Sequence, residues 1–329
     1  MLKKISRSNL TAIAAIAAAS VLVYLPSRRA PFFFDDIAHI VHNTDIRDIK
    51  NISDKLWRAE TYQSRIYPYR PLVYISFAAN YKLSGLNPAA YRAVNIAIHT
   101  LVCILIFILT RKIWICAFGN SSTLYPLLTA LIYCLHPLQT EAVTYIVHRE
   151  DSMCMLFYLL SVLTFIWGAE KHAFFYVISL LSFTLAALCK EMAVMLPFTL
   201  LLFDYIFMCS RDLQKMRARA KIHAIYFCAM TLYILFRWTQ LRGLGREDFL
   251  SATWTPLSYL SVQPWVILNY IRLLIAPFGQ SIDHFILPPA NNADLLKTFA
   301  GWLGISAILF TVWKHTRKNT AVSSIILFT

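Results

Sequence analysis

Apolar runs of about 15 to 20 residues recur from end to end of this chain, and a helix of ~20 residues reaches across a hydrocarbon core ~30 Å thick. That repetition leaves few folds open. Inside a bilayer every backbone N–H and C=O must be satisfied within the chain, so long continuous apolar runs are read as helices. The composition agrees: 58% of the 329 residues are hydrophobic and 15% charged, against roughly 25% charged in an ordinary soluble domain. Disordered, collagen-like, disulfide-stapled secreted and ordinary cytosolic classes are excluded. The expected fold class is an all-α integral membrane protein.

The formal net charge of +14 does not suggest nucleic acid, because the basic residues cluster at the ends of the apolar runs instead of forming one stripe. Seven cysteines are present (Cys103, Cys116, Cys134, Cys154, Cys189, Cys209, Cys228), most within or at the ends of apolar runs and with no CxxC pair. They read as small buried apolar residues, and neither a disulfide framework nor a zinc site is expected.

Charge and run length predict the topology. Lys3, Lys4 and Arg7 precede a first span over 10–25, placing the N-terminus inside. A signal peptide would look similar, but no convincing small-residue cleavage site follows. Residues 26–91 form a large first outer loop. Further spans are expected over 92–110, 124–135, 153–168, 174–188, 192–208 and 222–238. The loop holding Arg211, Lys215, Arg217, Arg219 and Lys221 against one acid, Asp212, is the strongest inside marker. Within the outer segment 239–298, the run 257–278 is interrupted by Gln263, Pro264, Asn269 and Arg272, and a full crossing would leave the basic end of 299–313 outside. It reads as a broken or re-entrant helix. The last apolar residues stop mid-run, so the chain reads as one membrane domain, 1–329, cut within a span, and no 34-residue or similar repeat occurs.

This topology brings Asp35, Asp36, Arg70, His136, Glu141, Arg149, Lys190, Glu191, Asp283 and His284 to one outer face. A transporter would instead place charges near the bilayer midplane. Phe32-Phe33-Phe34 precedes Asp35-Asp36; a carboxylate beside three aromatics suits a general base, and a solvated helix N-cap is the plainer reading. Arg70, held among Tyr67-Pro68-Tyr69 and Pro71, offers a fork for phosphate or an interfacial anchor. His136, Glu141, His148 and Asp151 crowd a short outer loop, yet the ligand spacing of a zinc enzyme is missing. Lys190-Glu191, Arg272 and Asp283-His284 are each, alone, boundary residues. No glycine-rich phosphate loop or nucleophile elbow occurs, so no nucleotide cofactor is expected.

Several stretches together resemble the membrane region of the transmembrane and tetratricopeptide-repeat (TMTC) O-mannosyltransferases and their bacterial relatives, within the GT-C superfamily. They are Phe34 to Asp36 (FDD), Tyr69 to Leu72 (YRPL), Gly85 to His99, His136 to Asp151, Cys189 to Pro197 and Tyr270 to His284, in the family's order. The resemblance implies a GT-C-like multi-span helical bundle. It also implies an inverting transfer of mannose or another hexose from a polyprenyl phosphate, such as dolichyl phosphate mannose, to an acceptor hydroxyl. Asp35 or Asp36 would be the catalytic base, and Arg70 and Arg149 would contact the donor phosphate. His136, Glu141, Asp151, Lys190, Glu191, Arg272, Asp283 and His284 are further active-site candidates. No cofactor or metal is expected, a divalent cation being possible without being required. The sequence departs from the family's Gly-Arg-x-Asp with His148-Arg149-Glu150-Asp151, which bears on donor identity.

The implied partners are membrane lipid, the lipid-linked sugar and an acceptor protein or glycan. The missing repeats favour a bacterial inner membrane over the endoplasmic reticulum, with the site on the periplasmic or lumenal side. The competing readings are a transporter or lipid flippase, which would tolerate change at Asp35, and a catalytically silent scaffold. Asn51-Ile52-Ser53 is a glycosylation sequon in the outer loop.

Overall fold

The computed structural model describes residues 7–48, 50, 70–241, 255–281 and 292–318, all helix, turn and connecting loop, with no strand among them. Asp283, His284 and the sequon lie outside the described residues. The chain divides into two compact units, Met1–Gln240 and Leu241–Thr329, where the sequence suggested one domain.

In the first unit, α1 (Arg7–Tyr24) runs on into a tight turn, Leu25–Arg29. After the first outer segment come α2 (Pro71–Ser84), α3 (Pro88–Phe118), α4 (Leu124–Leu135), α5 (Gln139–Thr144), α6 (Arg149–Glu170), α7 (Phe174–Ala187), α8 (Leu196–Phe203), α9 (Leu213–Arg217) and α10 (Ala220–Leu241). Among the described residues, six helical stretches are long and apolar enough to cross a membrane: Arg7–Arg29, Pro88–Phe118, Ile146–Glu170, Glu191–Met208, Ala220–Thr239 and Asp294–Thr311. α4 and α7 are shorter apolar helices. The protein is therefore a multi-pass, all-α membrane protein.

Local chemistry explains the helix bounds. α3 starts where the Asn87 side chain accepts the Ala89 N–H at 3.1 Å, with Pro88 supplying the first turn. It ends at Gly119, whose φ of 69° lets its N–H reach the Ile115 carbonyl at 3.0 Å. At 31 residues α3 overruns the expected 92–110 span at both ends, because Asn87 and Gly119 set its limits and the apolar boundary does not.

α1, α3 and α4 share a core of Ala12, Ile16, Cys103, Phe107, Ala130 and Cys134. α6 and α7 meet through small residues: Ser161 Oγ donates to the Ser179 carbonyl at 2.8 Å and Ser179 Oγ donates back to the Ser161 carbonyl at 2.7 Å. Such reciprocal bonds suit a lipid-embedded interface, where apolar burial does not drive helices together. At the far end of α8, buried Asp204 pairs with Arg219, whose Nη2 lies 2.6 Å from it, and with His223 at 2.8 Å. One residue of the basic loop is thus spent on an internal ion pair.

The second unit holds α11 (Pro256–Ile275) and α12 (Asn292–Lys318). A Thr255–Ser258 capping box starts α11. The run 257–278, expected to be broken or re-entrant, holds one continuous helix, α11, with Pro264 inside it, and it is not among the six potential spans found in the described residues. A membrane helix can carry a proline when neighbouring groups satisfy the freed carbonyl. Gly301 of α12 lies against Pro264, where an added Cβ would come within 2.7 Å of the proline ring.

Candidate active site

The two aspartates after α1 take opposite positions. A turn over Phe33 to Asp36 is closed by the Asp36 N–H on the Phe33 carbonyl at 3.1 Å, and Phe34 sits at φ 51°. A non-glycine residue in the left-handed region carries strain, and such residues gather at functional sites. The consequence is directional. Asp36 turns inward and is fully buried, its Oδ1 accepting the Val147 N–H at 3.0 Å and its Oδ2 the Phe33 N–H at 3.4 Å. Asp35 is exposed, and its N–H donates to the Tyr145 hydroxyl at 3.1 Å. Burial raises the Asp36 carboxyl above the ordinary carboxylate range despite these bonds and nearby Arg92.

Two buried arginines hold the loops beneath this turn. Arg92 of α3 donates to the Ala30 carbonyl, to the Pro31 carbonyl at 2.7 Å and to the Thr144 carbonyl at 2.9 Å. It thereby ties the outer segment after α1 to the end of α5. Arg149, also fully buried, donates from Nε to Asn95 Oδ1 at 2.7 Å, from Nη1 to Ser76 Oγ at 3.1 Å and from Nη2 to the Tyr91 carbonyl at 3.0 Å. Its guanidinium lies 4.7 Å from the Phe77 ring centre. Suggested as a phosphate ligand, Arg149 instead faces the interior, where its donors are taken by α2 and α3.

Above these buttresses a chain of charges crosses the unit. His148 Nδ1 lies 3.3 Å from Glu141 and 3.4 Å from Asp151. Lys190 pairs with Asp151, and with Glu150 at 3.3 Å. Arg70 pairs with Glu150, and with Glu191 at 3.3 Å. Glu191 reaches Arg237 of α10 at 3.4 Å. Residues from five separate segments thus converge, which is the outcome the loop parity predicts. Asp151 and Glu150 hold the Lys190 ammonium above its ordinary value although burial works the other way.

Aromatic contacts join the aspartate turn to the charges. Tyr145 stacks on Phe33 with ring centres 5.0 Å apart and on His148 at 4.7 Å. Its hydroxyl is pushed up by burial. His39 sits in a π-helical turn, Ile37–Val41, with Nδ1 2.7 Å from the Tyr74 hydroxyl. Burial lowers its proton affinity, and it senses both Asp35 and Arg70.

The remaining candidates separate. His136 Nδ1 accepts the Leu138 N–H at 3.2 Å and caps the turn after α4. Arg272 lies in the second unit, binding Asn269 Oδ1 at 3.0 Å and the Phe278 carbonyl at 2.9 Å, and so closes the end of its own helix. Sequence reasoning passed over Arg92, His39, Tyr145, Glu150 and Arg237. Arg92 and Asn95 carried a faint signal, as polar residues at helical spacing inside a predicted span.

Comparison with known proteins finds relatives over the membrane region. The chain is 31% identical over 201 residues to protein O-mannosyl-transferase TMTC4 of Homo sapiens, covering 54% of this chain and 27% of that protein. It is 32% identical over 210 residues to protein O-mannosyl-transferase TMTC1 of Mus musculus (59% and 22%) and 29% identical over 196 residues to Tmtc1 of Drosophila melanogaster (58% and 22%). The resemblance drawn from the motifs is therefore upheld, and the match spans about a quarter of the length of these relatives. All three are animal proteins, which lends no support to the bacterial inner-membrane expectation. No protein-family model matches the chain, and no solved structure does.

Proposed function

We propose that this chain is the membrane module of a protein O-mannosyltransferase that uses a polyprenyl-phosphate sugar, with Asp35 as its general base. The carrying observation is the division of labour between adjacent carboxylates: Asp36 is locked into the fold and Asp35 is presented outward beside the charge chain. The relatives' names support a mannosyltransferase acting on protein; the lipid donor and the inverting course come from the GT-C resemblance.

In this reading an acceptor Ser or Thr hydroxyl gives its proton to Asp35 as its oxygen attacks the anomeric carbon. The bond from that carbon to the phosphate oxygen breaks from the opposite face, so the configuration inverts and the lipid phosphate leaves with the bonding electrons. Arg70 and Lys190 face the phosphate and stabilise the charge that grows on the leaving oxygen. Arg70 supports this role in two ways: it is partly exposed, and its Nε is a buried donor with no partner among the described residues. Two fixed cations match a monophosphate without requiring a divalent ion. Arg149 and Asp36 position this machinery and do not touch the donor. The loops carrying it face the lumenal or periplasmic side.

The test is transfer by the full chain in lipid nanodiscs, with labelled polyprenyl-phosphate mannose and Ser/Thr peptides. Transfer by wild type that is lost in Asp35→Asn supports the proposal. Equal transfer by both proteins removes Asp35 from the mechanism, and a wild type inactive with every lipid-linked sugar favours a transport or scaffold role.

A further inference from the structure

Three soft ligand atoms meet in the apolar core of the first unit, remote in sequence from the aspartate turn. His99 and Cys103 stand four residues apart on α3, and Cys134 comes from α4. Their exposures are 1%, 0% and 0%, and the three candidate ligand atoms lie within 4.8 Å of one another. His99 Nε2 is 3.5 Å from Cys103 Sγ. A tetrahedral zinc ion with Zn–S of about 2.3 Å and Zn–N of about 2.0 Å would separate these two atoms by about 3.5 Å.

We propose that His99, Cys103 and Cys134 form a structural site for a borderline-soft divalent ion of the zinc class. Charge selects that class. Two thiolates, a neutral imidazole and a divalent ion sum to zero, the one total that an apolar, lipid-surrounded core accepts without a compensating partner. A monovalent soft ion such as Cu(I) would leave a net negative charge, and a hard ion prefers oxygen ligands. On binding, the two thiols release their protons to solvent, and His99 gives the metal its Nε2 lone pair while keeping its ring proton on Nδ1. The plainer reading is a core histidine resting on a carbonyl with two cysteines as small apolar fillers. Against it, the one carbonyl contact of His99 Nε2, to Cys134, is long at 3.3 Å, and that carbonyl already accepts the Tyr24 hydroxyl at 3.0 Å.

The site would act on the fold at a distance from the chemistry. Asn95, His99 and Cys103 follow one another at four-residue spacing, so they share one face of α3, and Asn95 holds Arg149. An ion clamping α3 to α4 would fix the helix that anchors both buried arginines.

The experiment is to express the full chain in cobalt-supplemented medium, purify it in detergent, and record the visible and near-ultraviolet spectrum with metal content by mass spectrometry. The expected result is about one ion per chain and thiolate-to-cobalt charge-transfer bands. Both should be reduced at least tenfold in Cys103→Ser/Cys134→Ser and kept in the double variant of the exposed cysteines, Cys116→Ser/Cys228→Ser. Metal content that does not differ between wild type and Cys103→Ser/Cys134→Ser overturns the proposal. So does a Cys103–Cys134 disulfide in the purified protein. Should the core variant fail to fold, the wild-type spectrum decides: without thiolate bands the site does not exist.

Discussion

Asp35 and Asp36 are neighbours in the chain and face opposite ways: Asp36 is sealed beneath the Val147 N–H at 3.0 Å while Asp35 stands exposed over Tyr145. The left-handed Phe34, last of the three aromatics and next to the pair, turns the chain there. Substitutions at the two positions should therefore fail differently. Asp35→Asn should lower transfer by roughly 10²–10⁴-fold, the span of a lost general base, with an unchanged melting temperature. Asp36→Ala leaves the Val147 and Phe33 N–H groups without their acceptor and should cost about 1–3 kcal/mol of stability. Paired activity and melting measurements separate the two effects.

The Asp36 carboxyl also sets a pH dependence. Because burial raises its folded proton affinity, the protonated form contributes stability that is complete below the ordinary carboxylate value near about pH 4. That stability is lost as pH rises through the raised folded value. Asp36→Asn cannot titrate, so wild type should lose ground against this variant as pH rises from roughly 4 to 8. Melting midpoints for both proteins across that range provide the check, and parallel curves would count against it.

His39 should act in the opposite sense. Burial depresses its folded proton affinity, so its contribution is complete above the ordinary histidine value near about pH 6.5. It falls away as acidification approaches the lowered folded value. His39→Gln keeps a polar group facing Tyr74 and should flatten the stability profile on the acid side of neutrality.

Arg149 is fully buried and joins Asn95, Ser76 and Tyr91. Replacing it with methionine strands those acceptors and should cost about 3–5 kcal/mol. Lysine retains the charge without the fork and should recover only part of the loss. Yield of monodisperse protein and its melting temperature report the ranking wild type, lysine, methionine.

Glu191 competes for the guanidinium assigned to the donor phosphate, lying 3.3 Å from Arg70. Glu191→Gln should release that group and lower KM for the lipid-linked sugar by roughly three- to tenfold, while Arg70→Gln should raise it by about tenfold or more. Steady-state kinetics over a donor series measures both. Opposite signs are the distinctive result.

Much of this architecture was legible in the sequence because a bilayer is a severe solvent. Runs such as 10–25 and 153–168 have little alternative to helix, and the spacing of Arg and Lys orders the loops. Loop parity alone groups Arg70, Glu141, Lys190 and Glu191, which lie along the chain of ion pairs. Pro264 misled, since a proline that would end a soluble helix is carried within α11. Arg149 misled for a related reason: a charged residue at a loop boundary has the same signature whether it faces a ligand or a carbonyl inside the fold.

The sequence by itself determined the class of the protein and its succession of apolar helices, both of which follow from hydropathy and charge along the chain. Only the tertiary structure decided which member of each set turns outward. Asp35 differs from Asp36, and Arg70 from Arg149, by partners remote in the chain: Val147 for one, Asn95 and Ser76 for the other. The same holds for the meeting of His99 and Cys103 with Cys134. The direction of a buried polar group is set by which backbone and side-chain acceptors surround it, and those arrive only when helices distant in sequence pack together.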